Sequence, residues 1–131
     1  IGGVLISDKY EAKFGMLGTT FGGNNLACAA AISVLDTIDE ENLMANVNEV
    51  YNYFLEEIKT VPKIKKIKGK GLMLGVEFDF EVGELRKKLI FDKHIFTGGS
   101  NNKNLLRILP PLNIKKEQIA FFINALKESV T

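Results

Sequence analysis

The chain has no tryptophan, one histidine, one cysteine and three prolines in 131 residues. The lone Cys28 leaves no intrachain disulfide, a usage that fits a reducing cytoplasm. Nothing basic lies beside it in sequence to activate a thiolate, so it reads as a small buried hydrophobe. His94 has no acid–base or metal partner in a recognisable spacing and reads as a surface residue at a strand end. No run of about twenty apolar residues occurs, which excludes a membrane-spanning helix. Seventeen basic and sixteen acidic side chains leave a formal net charge of +1, so neither nucleic acid nor an anionic membrane is expected as a partner. Internal repeats and low-complexity segments are also missing.

What remains is an ordinary globular composition, 46% apolar and 25% charged, in a chain long enough for one domain with its own core. It opens at Ile1-Gly2-Gly3-Val4-Leu5-Ile6-Ser7, which reads as the interior of a buried strand without an initiator Met. We therefore expect a piece of a longer protein.

The chain is organised around Leu17-Gly18-Thr19-Thr20-Phe21-Gly22-Gly23-Asn24-Asn25 and the alanine-rich stretch after it. Glycines let backbone approach a ligand closely, Thr hydroxyls donate to its oxygens, and a helix N-terminus favours negative charge. Such a loop suits a phosphate, although its spacing is neither a P-loop nor G-x-G-x-x-G. A tight glycine turn capped by Thr or Asn explains the same residues. On composition alone both readings stand.

Periodicity outlines the rest. Residues 4–7 make a short apolar β run, and Ser7–Glu11 a brief helix before Gly15. From Asn25, apolar residues at 26, 30, 34 and 38, widened by Ala27, Ala31 and Leu35, describe a helix buried on most sides. An acidic break at Asp36, Asp39, Glu40 and Glu41 precedes a one-sided helix carrying Leu43, Val47, Val50, Phe54 and Ile58, ending before Pro62. Lys63 to Lys70 alternates lysine with isoleucine, as in a solvated edge strand. Leu72, Leu74, Val76 and Phe78 share one face of the next strand. Glu84–Phe91 reads as a helix with Arg86, Lys87 and Lys88 outward, His94–Thr97 as a strand, and Leu105–Leu109 as a strand closed by Pro110-Pro111. The last helix runs from about Lys116 to Ser129 with Ile119, Phe122, Ile123 and Leu126 inward. Its first turn carries Lys115 and Lys116 against the helix dipole, and Asn113 or Glu117 is expected to compensate. This order, without βαβ spacing, indicates an α+β fold with an antiparallel sheet covered by helices.

The run GTTFGGNNLACAAAISVLD, the strand Lys68-Gly-Lys-Gly-Leu-Met-Leu-Gly-Val-Glu77 and the segment Leu106-Arg107-Ile108-Leu109-Pro110-Pro111-Leu112 decide between the two loop readings. In this order they closely resemble class III (subgroup II) pyridoxal-phosphate aminotransferases, especially the acetylornithine aminotransferases and their succinylornithine and ornithine relatives. The resemblance spans nearly the whole chain. It implies the small C-terminal domain of a fold-type I transferase: residues 1–24 would end the large cofactor-binding domain, and residues 25–131 would form the small domain with its leading helix.

The implied activity moves the δ-amino group of N-acetylornithine or N-succinylornithine to 2-oxoglutarate through pyridoxal 5'-phosphate, in arginine biosynthesis and in a cytoplasmic homodimer. Thr20 matches the threonine that reaches the cofactor phosphate across the dimer interface, and Thr19 the neighbouring position that touches substrate. Arg107 matches the arginine that seats the α-carboxylate of 2-oxoglutarate or glutamate. The Schiff-base lysine should lie before Ile1, so no catalytic residue is assigned in this chain, and the chain alone should be inactive and self-associate. Gly98 and Gly99 fall where the family's small domain lines the substrate entrance, but glycine-rich loops are common and neither is assigned to the site. Most relatives have proline where this chain has Asn25, which is expected to cap the helix instead. Ornithine, 4-aminobutyrate and lysine aminotransferases share these motifs, and a non-enzymatic anion-binding α+β module is the alternative of another class.

Overall fold

A computed structural model describes residues 2–11, 13–16 and 18–130. Ile1 and Leu17, which open two of the stretches above, lie outside the described residues. The chain divides into two compact units, 1–41 and 42–131.

The first unit holds one helix. Residues 2–6 form no ladder, and Val4 and Leu5 are exposed, so the expected β run is not a strand. Extended backbone becomes a strand only when a neighbour takes its hydrogen bonds, and the unit offers none. Ser7–Tyr10 closes as a turn, with the Tyr10 N–H donating to the Ser7 carbonyl at 3.0 Å, in place of the expected helix. One turn does not recover its nucleation cost. Helix α1 spans Asn25–Glu40. Its cap is Asn24, not Asn25: the Asn24 backbone is extended and its Oδ1 accepts from the Ala27 N–H at 2.9 Å, while its amide donates to the Phe21 carbonyl. Asn25, one residue on, is already helical. No residue of α1 is buried, contrary to its apolar pattern, because the described residues of the unit form no second layer to cover it.

The second unit contains α2 (Leu43–Glu57), a 3-10 turn at Ile58–Thr60, β1 (Ile64–Lys70), β2 (Met73–Phe78), α3 (Gly83–Phe91), β3 (Leu105–Ile108) and α4 (Lys116–Val130). The three strands form one antiparallel sheet in the order β1-β2-β3, which with the helices gives the expected α+β class. The lysine-rich β1 is an edge strand, where charged side chains resist pairing with another sheet. Lys70 pairs with Met73 across a two-residue turn, where Gly71 takes φ 58°, and Gly69, in β1 just before it, takes φ 99°, both values that other residues rarely adopt.

Period-two alternation sends Leu74, Val76 and Phe78 of β2 and Leu106 and Ile108 of β3 to one face. They join Val50, Phe54, Leu85, Leu89, Ile119, Ile123 and Leu126 from the three helices in a single core. The Asn46 amide on α2 donates to the carbonyls of Leu112 and Ile114, fixing the chain that leads into α4. Glu117 places a carboxylate in the first turn of α4, as expected, beside the lysines there. Gln118 accepts from the Lys115 N–H at 2.7 Å, and Lys116 pairs with Glu49 of α2. The hydrogen bond from the Lys116 ammonium, and then its charge, hold the Glu49 carboxyl below the usual carboxylate range.

His94–Thr97 is not a strand. His94 takes φ 56°, the Ile95 N–H turns back to the Leu89 carbonyl at 2.8 Å, and only Gly98 reaches the sheet, as a bridge to Arg107. A left-handed residue breaks an extended run, so the segment leaves α3 as a turn. His94 is nevertheless exposed, as expected.

Candidate functional site

In the glycine loop the Gly22 N–H donates to the Thr19 carbonyl at 3.4 Å, making a turn through Thr20 and Phe21. A Cβ on Gly22 would lie 2.1 Å from the Thr19 Cγ2, so a side chain there would require the threonine to turn its methyl away. Gly23 then takes φ 70° to redirect the chain into Asn24 and α1. Thr19 and Thr20 are exposed, and their hydroxyls make no hydrogen bond among the described residues. Unengaged hydroxyls at the entry to a helix form a donor set suited to a phosphate, and nothing acidic interrupts residues 18–25.

Arg107 belongs to the second unit, on the face of the sheet opposite the core. It exchanges both backbone hydrogen bonds with Gly98, at 2.8 and 3.0 Å, and stands opposite Gly75 on its other side. Its side chain is exposed and makes no ion pair or hydrogen bond among the described residues. Lys66 and Lys68 occupy the same face by register. The acid there, Glu77, is already engaged: it pairs with Lys68 at 2.7 Å and accepts from the Asn102 amide at 3.2 Å. Those two hydrogen bonds, Lys68 first, lower its pKa. A guanidinium left without a carboxylate on a basic face is equipped to bind one from outside.

Arg86 of α3 is the residue that helical periodicity misplaced. It is half-buried, not outward, and its Nη2 donates to the Thr97 carbonyl at 3.1 Å. Its Nε and the Thr97 hydroxyl are buried without a hydrogen-bond partner among the described residues, and its Nη1 lies 3.1 Å from where a Gly99 Cβ would stand. The only signal in the sequence was the glycine pair at 98 and 99, where side chains are withheld from a crowded approach. Among the described residues no group of three or more His, Cys, Asp or Glu could hold a metal ion, and no helix is long and apolar enough to cross a membrane.

Residues 3–130 match the family model described as Aminotransferase class-III. The acetylornithine aminotransferase of Aquifex aeolicus is 42% identical over 130 residues, which is 98% of this chain and 33% of that protein. The ornithine aminotransferase of Oceanobacillus iheyensis is 38% identical, over 89% of this chain and 29% of that protein. Among solved structures, the ornithine aminotransferase of Plasmodium yoelii superposes with a TM-score of 0.78 at 29% identity, over 91% of this chain and 33% of that one. The chain thus spans about a third of the length of these curated relatives.

Proposed function

Because the chain belongs to the aminotransferase class-III family, we propose that it is the C-terminal part of an enzyme that transfers the δ-amino group of N-acetylornithine, or N-succinylornithine, to 2-oxoglutarate. Residues 1–24 are read as the end of a large cofactor-binding domain and residues 25–131 as the small domain, in a homodimeric enzyme of arginine biosynthesis. The observation that carries this reading is Arg107, an exposed and unpaired guanidinium beside the Pro110-Pro111 stop. Its planar fork takes the α-carboxylate of the oxo acid through two parallel hydrogen bonds and so fixes the orientation of the acceptor.

The unengaged hydroxyl of Thr20 and the glycine-rich backbone after it fit the phosphate of pyridoxal phosphate, and Thr19 faces the substrate beside it. When bound, that cofactor supplies the electron sink for carbanion chemistry at the substrate carbon. The work of this chain is positional: Thr20 helps hold the phosphate, and Arg107 seats the α-carboxylate of the oxo acid and aligns it.

The test uses the full-length enzyme with pyridoxal phosphate, following its visible absorbance as single amines are added. A response to N-acetylornithine or N-succinylornithine, and none to ornithine or 4-aminobutyrate, is expected. A response to ornithine alone would replace the substrate with the one named for the Oceanobacillus relative. No cofactor absorbance at all would discard the enzyme in favour of an anion-binding module.

A further inference from the structure

Arg107 stands between two glycines, and the two are not alike. The space above Gly75 is taken by Leu105, whose methyls lie 3.0 and 3.1 Å from where a Gly75 Cβ would stand. The space above Gly98 is taken by Arg107 itself: a Cβ there would lie 2.6 Å from the Arg107 Nε and 3.2 Å from its Nη2 and Cβ. The arginine side chain, although exposed, therefore does not rise straight off the sheet. It folds across its bridge partner and rests its guanidinium on bare backbone.

We infer that Gly98 is a positioning residue for Arg107, and that Arg86 holds this seat in place. Leu105 closes the Gly75 side and Gly98 opens the other, so one direction is left for the guanidinium to lean. The seat is anchored at both flanks by Arg86, which binds the Thr97 carbonyl at 3.1 Å and lies against Gly99. A guanidinium already confined loses less rotamer freedom when a carboxylate arrives, which strengthens binding without any new contact. Gly98 does not have a positive φ, so its backbone conformation accepts alanine, and the added methyl displaces the guanidinium and presses the Arg107 Cβ away by a few tenths of an ångström. The inference rests on Arg107 being the carboxylate-binding arginine.

The experiment is steady-state kinetics of the full-length enzyme with 2-oxoglutarate varied. Gly98→Ala is expected to raise its KM about tenfold, with kcat within about twofold and the melting temperature unchanged. Arg86→Met should act in the same direction with a smaller effect. In an Arg107→Ala background both should add nothing, because no guanidinium remains to be placed. If Gly98→Ala does not fold, Arg86→Met decides by the same comparison of KM with kcat. A folded Gly98→Ala enzyme with unchanged KM, alongside an Arg107→Ala enzyme whose KM rises, overturns the positioning role and leaves the function standing. Unchanged KM in Arg107→Ala removes the carboxylate assignment, and the inference falls with it.

Discussion

Helices α1 and α4 are 16 and 15 residues long, and both carry apolar residues at helical spacing, yet they end in opposite circumstances. Helix α4 buries Ile119, Phe122, Ile123 and Leu126 in the core of its unit, whereas Leu26 on α1 is 83% exposed and Val34 and Leu35 are also open. The contrast separates two things that periodicity is often taken to say at once. Spacing specifies which face is apolar, and only a second layer at the right distance turns that face into a buried one.

The sharpest way to break this comparison is to remove one side chain from each unit. In the 131-residue chain, Phe54→Ala should cost about 3–5 kcal/mol, because the ring is fully enclosed and leaves a cavity. Leu35→Ala should change stability by less than about 0.5 kcal/mol, since the residue is open. Denaturant melts read both, and equal costs would erase the distinction.

The functional counterpart needs the full-length enzyme. Arg107→Lys in the second unit should raise the KM for 2-oxoglutarate about tenfold, because an ammonium cannot reproduce the fork. Thr20→Ala in the first should leave that KM alone and speed loss of pyridoxal phosphate on dialysis. If the two variants exchanged phenotypes, the division of labour between the units would be wrong.

Open apolar residues on α1 also predict that the 131-residue chain self-associates, and that Leu35→Glu reduces the effect. Sedimentation would count against it by finding a monomer at high concentration. The smallest expected effect is one of pH. Lys116 lowers the Glu49 pKa, so the pair stabilises the fold above the ordinary carboxylate pKa, and its contribution disappears as pH falls through the lowered value. Glu49→Gln should abolish only that acid-side slope in a melting profile.

Much of this was legible before the fold. The inward residues of α4 and the Leu74-Val76-Phe78 face follow from periods of 3.6 and 2, which are local properties of the chain. The lysine-rich edge strand follows from composition in the same way. What was misread has the opposite character. Arg86 looked solvated because helical spacing says nothing about Thr97, eleven residues on, whose carbonyl needs a donor. Gln118 and Glu49 settle the start of α4 through a reach-back and a partner 67 residues away. The segment at His94 looked extended until the end of α3 claimed the Ile95 N–H.

The sequence by itself determined the family, the α+β class and the identities of Thr19, Thr20 and Arg107 as candidates, because motif residues and short-range periods are written along the chain. Tertiary structure alone decided that Arg107 has no carboxylate partner among the described residues and lies across Gly98, that Glu77 is spent on Lys68 and Asn102, and that α1 has no buried residue. Those outcomes depend on which distant backbone groups come within hydrogen-bonding reach, and a contact that spans many residues leaves no local period to read.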